Sequence, residues 1–233
     1  MKTLGLIGGM SWESTQTYYR LANEAVRDAL GGLHSARLVL YSVDFDEVAT
    51  LQREERWDDG ARLMGDAARA LRAAGAEAIV VCTNTMHLVA EAIEAASGLP
   101  LLHIADPTGE AVRAAGLQRI ALLGTRFTMA RDFYRRRLEE RHGLDVIVPD
   151  EDDQALVHRV IYDELCLGRI RDDSREAYIQ VIDRLAARGA EGVILGCTEI
   201  GLLVGPDDTS LPLFDTTALH VRGAVKWALG PTR

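Results

Sequence analysis

Lysine is almost missing from this chain. Among its 26 basic side chains only Lys2 and Lys226 are lysines; the rest are arginine. A pyridoxal-phosphate enzyme needs a buried lysine for its Schiff base. Lys2 precedes the first predicted strand and Lys226 falls in the last predicted helix, so that class is set aside. Cysteine is scarce too. Cys82, Cys166 and Cys197 are too few for a disulfide framework, and a reducing, cytoplasmic compartment is expected. No apolar run approaches the ~20 residues of a membrane span. The opening MKTLGLIGGMSWEST has neither a long apolar stretch nor a small-residue cleavage pattern, so no signal peptide is expected. There is no basic block, and the net charge is −9. Nucleic acid and anionic membranes are therefore poor partners. The six histidines show no HxxxH spacing and the cysteines no CxxC, which gives no support for a metal site. Gly5-Leu6-Ile7-Gly8-Gly9 is not a dinucleotide fingerprint, and no Walker or GxSxG pattern occurs.

What is present is ordinary for a globular protein: 233 residues, 48% apolar and 26% charged. Short apolar runs alternate with amphipathic segments. Strands are predicted at 3–9, 36–43, 77–83, 99–105, 119–125, 145–150 and 191–198, with helices between them, and 211–229 reads as a strand and a terminal helix. The acidic run Asp150–Asp153 reads as a solvated loop. Such alternation predicts parallel sheets covered by helices on both faces.

The pattern also repeats. At an offset of 116, Leu6-Ile7-Gly8 falls on Leu122-Leu123-Gly124 and Tyr18 on Tyr134. At an offset of 114, Gly75-Ala76-Glu77 falls on Gly189-Ala190-Glu191, and Thr83 lies opposite Cys197. We read a duplicated α/β unit: two pseudo-symmetric domains, each a mainly parallel sheet flanked by helices. The expected division is 1–100, completed by the segment 211–233, and 101–210.

Ligands of open parallel sheets bind beyond the carboxyl ends of the strands. Gly8–Ser11, Cys82–Thr85, Gly124–Arg126 and Gly196–Glu199 lie there. Two facing halves would bring the 82–85 and 196–199 turns to opposite sides of one cleft, suited to work on two faces of one small molecule. Cys197 is the sharpest candidate. Its glycine before and Thr-Glu after suit an exposed elbow, and a helix N-terminus would lower its pKa. Strand alternation turns Cys82 into the core if Thr83 faces the cleft, so Thr83 ranks above Cys82. Cys166, beside Val157, Ile161 and Leu165 on a predicted helix, reads as core.

The segments GLIGGMSWEST (5–15), CTNTMH (82–87), LLGTRFTM (122–129) and GCTEIGLL (196–203) together resemble the cofactor-independent aspartate/glutamate racemase family, and most closely its bacterial L-aspartate/glutamate-specific, broad-specificity branch. The resemblance covers essentially the whole chain. It implies two α/β domains with an active site in the cleft between them, a homodimer, no cofactor and an amino-acid substrate. Most of the family carries one cysteine in each half; here Thr83 stands at the first position, as in the L-specific branch. Aspartate racemases also carry an Arg after the second strand and a Lys before the position of Gly168, where this chain reads Asp44–Val48 and Cys166-Leu167. By the same resemblance Met10 and Gln52 are substrate contacts.

Racemisation removes the α-proton from one face and returns one to the other. The spread charge of the carbanion needs aimed N–H and O–H donors, and Asn84, Thr85, Thr125 and Thr198 are the candidates. By resemblance to glutamate racemases, Cys197 is expected to act as the base on the L-face, with Thr83 completing the other. The rival readings are a maleate isomerase, arylmalonate decarboxylase or hydantoin racemase on the same scaffold, or a non-catalytic amino-acid-binding protein.

Overall fold

A computed structural model describes residues 1–230. The chain divides into two compact units, Met1–His103 with the segment from His220 onward, and Ile104–Leu219. No helix among the described residues is long and apolar enough to cross a membrane.

In the first unit the strands β1 (Leu4–Gly8), β2 (Leu38–Ser42) and β3 (Ala78–Val81) form a parallel sheet in the order β2-β1-β3. The helices are α1 (Trp12–Leu30), α2 (Phe45–Arg53), α3 (Trp57–Ala73) and α4 (Ala90–Ser97). The strand expected at 99–105 shrinks to one parallel bridge, Leu101 to Ile79. In the second unit α5 (Ala105–Ala114), β4 (Arg119–Gly124), α6 (Arg126–Ala130), α7 (Asp132–His142), β5 (Asp145–Ile147), α8 (Glu151–Asp163), α9 (Asp172–Ala187), β6 (Val193–Gly196), α10 (Ile200–Leu203) and β7 (Leu213–Asp215) follow in turn. Their parallel sheet runs β5-β4-β6-β7. The last helix, α11 (Thr216–Leu229), carries the chain back to the first unit at His220.

Alternation of side chains along each strand builds two core layers per unit. Ile7, Ile79 and Val81 pack against Met64, Ala68 and Leu71 of α3, whereas Leu4, Leu6, Ala78, Val80 and Cys82 pack against Tyr18 and Val26 of α1 and Val221 and Val225 of α11. In the second unit Leu123, Val193 and Leu195 meet α8 and α9, while Ile120, Leu122 and Ile194 meet α5 and α7.

The internal repeat has a physical basis. Glu77 Oε2 accepts a hydrogen bond from the Thr3 N–H at 2.7 Å, and Glu191 Oε2 accepts from the Gln118 and Arg119 N–H groups at 2.7 and 2.8 Å. Each glutamate clips the start of its unit's central strand. Ile79 N–H donates to Pro100 O, and Val193 N–H to Pro212 O, both at 2.9 Å. Tyr18 and Tyr134 are both fully buried.

Two expectations are corrected. The segment 211–219 does not belong to the first unit, because Leu213 registers against Val193 and seats β7 beside β6. The acidic run 150–153 is not a loop. Asp150 Oδ1 accepts from the Asp153 N–H at 3.0 Å as the N-cap of α8, and Asp153 takes both arms of Arg184 at 2.6 and 2.7 Å. Carboxylates gather there because a helix N-terminus is partially positive.

Candidate active site

The polar residues singled out in the sequence sit just past the carboxyl ends of β1, β3, β4 and β6. In the first unit Gly9 turns the chain out of β1 at φ +93°, where a Cβ would collide with Val43 O, so only glycine fits. Thr15 fixes this turn. Its Oγ1 accepts from the Gly9 N–H and donates to Ser11 O, both at 2.8 Å. Ser11 then caps α1, accepting from the Ser14 N–H at 3.3 Å. Met10 is buried against the α3 side of the core. Gln52, on α2, is 3% exposed and donates from Nε2 to the Met86 sulfur at 3.3 Å.

Thr83 follows β3 and keeps partial exposure, while Asn84 and Thr85 behind it are buried. Cys82 is fully buried in the core layer of Val80, Ala22 and Val225. The two neighbours thus differ in exposure, Cys82 closed in and Thr83 half-buried. Burial pushes the Cys82 thiol far above its ordinary range.

In the second unit Thr125 caps α6, accepting from the Thr128 N–H at 3.3 Å. Gly196 is required by the close approach of β4, since a Cβ there would lie 2.7 Å from Leu123 O. Cys197 comes next, facing the same core layer as Val193 and Leu195. Its thiol donates to Glu199 Oε2 at 2.9 Å, and the Thr198 hydroxyl donates to the same oxygen at 2.6 Å. Glu199 is only 3% exposed, so the elbow is half-hidden rather than open.

This corrects two expectations. The Cys197 thiol is raised well above its usual value, first by desolvation and then by the nearby Glu199 and Cys166 charges. The four-residue α10 is too short for its N-terminus to outweigh a buried carboxylate at its own cap position. The Thr198 proton is committed to Glu199, so Thr198 offers a ligand an acceptor rather than a donor. Cys166 packs on the same core layer, as its sequence setting implied.

Sequence reasoning treated Glu199 only as a polar flank and passed over Tyr162, Arg126 and His158. Burial raises the Tyr162 phenol, and it feels the charges of Cys166, Cys197, Arg126 and Glu199. Its ring lies 4.7 Å from that of His158, whose pKa is lowered by burial and by Arg126. The pairing of a cysteine with an acid two residues later could have drawn attention to Glu199, but its burial depends on the folded neighbours.

The buried acids give a first prediction. Cys82 and Cys197, with Tyr134, Tyr162 and Tyr178, are all raised by burial, so the folded chain holds these protons more tightly than the unfolded one. That stability is complete below the unfolded thiol's pKa of about 8.5 and declines above it, by about 1.4 kcal/mol per pH unit for a fully buried thiol. Urea midpoints should fall steeply from pH 8.5 to 10.5. Cys82→Ala should flatten that slope by one thiol's share, and an unaltered slope would exclude Cys82 as a source.

The family model for Asp/Glu/hydantoin racemases matches residues 7–224. A structure from Yersinia pestis with a provisional Asp/Glu racemase designation is 58% identical, covers 99% of this chain and 100% of its own, and superposes with a TM-score of 0.91. An aspartate racemase homologue from Pyrococcus horikoshii is 35% identical over 99% of this chain and 100% of its own, with a TM-score of 0.84. The broad specificity amino-acid racemase RacX of Bacillus subtilis is 23% identical over 229 residues, covering 95% of this chain and 96% of that protein.

Proposed function

The chain belongs to the Asp/Glu/hydantoin racemase family and is an amino-acid racemase, an isomerase; from that premise we propose that it interconverts the enantiomers of aspartate or glutamate without a cofactor, Cys197 serving the L-face and Thr83 the other. The observation that carries this reading is the Cys197 thiol at 2.9 Å from a buried carboxylate, with Thr83 at the corresponding strand end of the other unit. In the proposed reaction the two turns act on opposite faces of the substrate.

The thiol rests protonated. Glu199 takes its proton as substrate arrives, and the substrate ammonium stabilises the thiolate that results. The thiolate then removes the α-proton from the L-enantiomer. Charge spreads onto the α-carboxylate, where N–H groups after β3 and β4 receive it, with Asn84 and Thr85 completing the set. The Thr83 hydroxyl gives a proton to the opposite face and takes one back from solvent water, while Glu199 releases its proton to solvent, which restores both side chains. Met10 and Gln52 contact the substrate, and Arg126, the cation beside the Cys197 turn, meets a substrate carboxylate. The acidic substrate class rests on the named relatives.

Cofactor independence is supported by the two lysines. Lys2 lies 4.1 Å over the Trp227 ring and Lys226 is exposed on α11, so neither stands in a strand-end turn. The three cysteines are free, in keeping with a cytoplasmic site. Trp12 and Tyr19, 66% and 58% exposed on one face of α1, suit burial in a homodimer.

The test is α-proton exchange in D2O, followed by NMR with chiral analysis of the product. L-aspartate or L-glutamate should exchange faster than the D-enantiomer, because a thiol loses its proton far more readily than an alcohol. Thr83→Ala should keep L-exchange but cut racemisation by about 10²-fold. Equal exchange from both enantiomers in the wild type contradicts the assignment of faces, and turnover of hydantoins or maleate alone contradicts the substrate.

A further inference from the structure

The chain leaves the sheet at Cys82, whose N–H still donates to Ile7 O at 2.9 Å, and side chains hold the carbonyls on either side of the Thr83 Cα. β3 ends at Val81, and the 3-10 turn Thr85–Val89 begins two residues after Thr83. The Cys82 carbonyl accepts from the Ser14 hydroxyl at 3.2 Å. The Thr83 carbonyl would, in an α-helix, accept from the His87 N–H. That N–H is used elsewhere, donating to Asn84 O at 3.1 Å in the tighter turn. The His87 side chain supplies the donor instead, its Nδ1 lying 2.8 Å from Thr83 O. Since a carbonyl only accepts, Nδ1 carries the proton.

His87 is itself wedged. It is 2% exposed, and its ring lies 4.5 Å from that of His103 and 5.7 Å from that of His220. His220 is fixed at both nitrogens. Nε2 donates to Leu102 O at 2.6 Å, and Nδ1 accepts from the Tyr18 hydroxyl at 2.8 Å. Three buried imidazoles and a buried tyrosine thus tie the Thr83 turn to α1, α11 and the 99–103 segment of the same unit.

We propose that His87 is a positioning residue for Thr83, its Nδ1–H bond fixing the peptide after Thr83 so that the hydroxyl meets the substrate face opposite Cys197. The proposal rests on the racemase reading above. It concerns only the Thr83 half, which makes it separable from a loss of fold or of the Cys197 chemistry.

Three proteins decide it: wild type, His87→Phe, which keeps a ring beside His103 but has no donor, and His87→Asn, whose amide nitrogen can occupy the place of Nδ1. His87→Phe should keep L-substrate α-proton exchange within about threefold of wild type while racemisation falls at least tenfold, in kcat rather than KM. His87→Asn should restore most of the loss. Parallel loss of exchange and racemisation, an inactive His87→Asn, or undiminished racemisation in His87→Phe would each overturn the proposal. The 15N signature of the His87 ring in wild type provides a readout independent of substrate. An Nδ1–H tautomer is expected, and an Nε2–H tautomer refutes the bond. A wild type that exchanges no acidic amino acid but keeps the Nδ1–H signature dismisses the substrate reading and leaves the backbone clamp standing.

Discussion

Cys197→Ser should lower racemisation by a thousandfold or more, about 4 kcal/mol of transition-state stabilisation, and should abolish L-substrate exchange as well. The two side chains are nearly isosteric. Serine can keep the contact to Glu199, so the fold and the Thr198–Glu199 bond are expected to survive. What is lost is acidity, because an alcohol holds its proton far more tightly than even a burial-raised thiol. Moving a proton from sulfur costs far less than moving one from an alcohol oxygen, which no carboxylate can draw off. The result that would sink the assignment is a Cys197→Ser protein, with an unfolding midpoint near that of wild type, that still exchanges the α-proton of L-aspartate or L-glutamate. Loss of racemisation alone would not separate the two halves of the site, since Thr83→Ala also stops the full reaction. The two variants differ in L-exchange, which Thr83→Ala keeps.

Glu199→Gln should separate thiol acidity from thiol usefulness. The Glu199 charge and its hydrogen bond both raise the Cys197 pKa. Removing the charge should therefore lower it, seen as iodoacetamide alkylation whose rate rises at a lower pH than in the wild type. Turnover should nevertheless fall by about 10²–10³-fold, the usual worth of a positioned proton acceptor. A more acidic cysteine in a slower enzyme is an unusual pair of outcomes, and it distinguishes a proton acceptor from a group that merely packs. Full activity in Glu199→Gln would remove the carboxylate from the mechanism. A higher onset of alkylation would reverse the electrostatic account. Because Thr198 donates to the same oxygen, Thr198→Val should shift thiol reactivity in the same experiment by leaving the carboxylate one donor short.

Much of this was legible in the sequence because it depends on local period and on repetition. The difference in exposure between Cys82 and Thr83 could be expected from strand alternation with no knowledge of the fold, and the shared Gly-Ala-Glu marks one structural task done twice. The rest depends on contacts between distant segments. The raised Cys197 pKa follows first from burial of the thiol and then from the Glu199 charge beside it, and no short window reveals either. Leu-Pro-Leu at 99–101 and at 211–213 looks the same in both copies, yet only the second forms a named strand. The acidic run at 150–153 reads as solvated until Arg184, near the far end of the next helix α9, is placed beside it. The role of His87 was hidden for a different reason: its backbone N–H is diverted by a 3-10 turn, and a histidine in sequence gives no hint of which nitrogen it will use.

The Lys2 N–H donates to Ala228 O at 2.9 Å, so the chain begins and leaves its last helix side by side, at the edge where β1 starts. The reactive turns lie past the far end of that strand. Joining residues 2 and 228 through a short linker, and reopening the chain at the exposed Gly31-Gly32 bend, should give a circular permutant with its chemistry intact. For the same reason a tether attached at residue 2 or at residue 228 should leave the far end of β1 open to an amino acid.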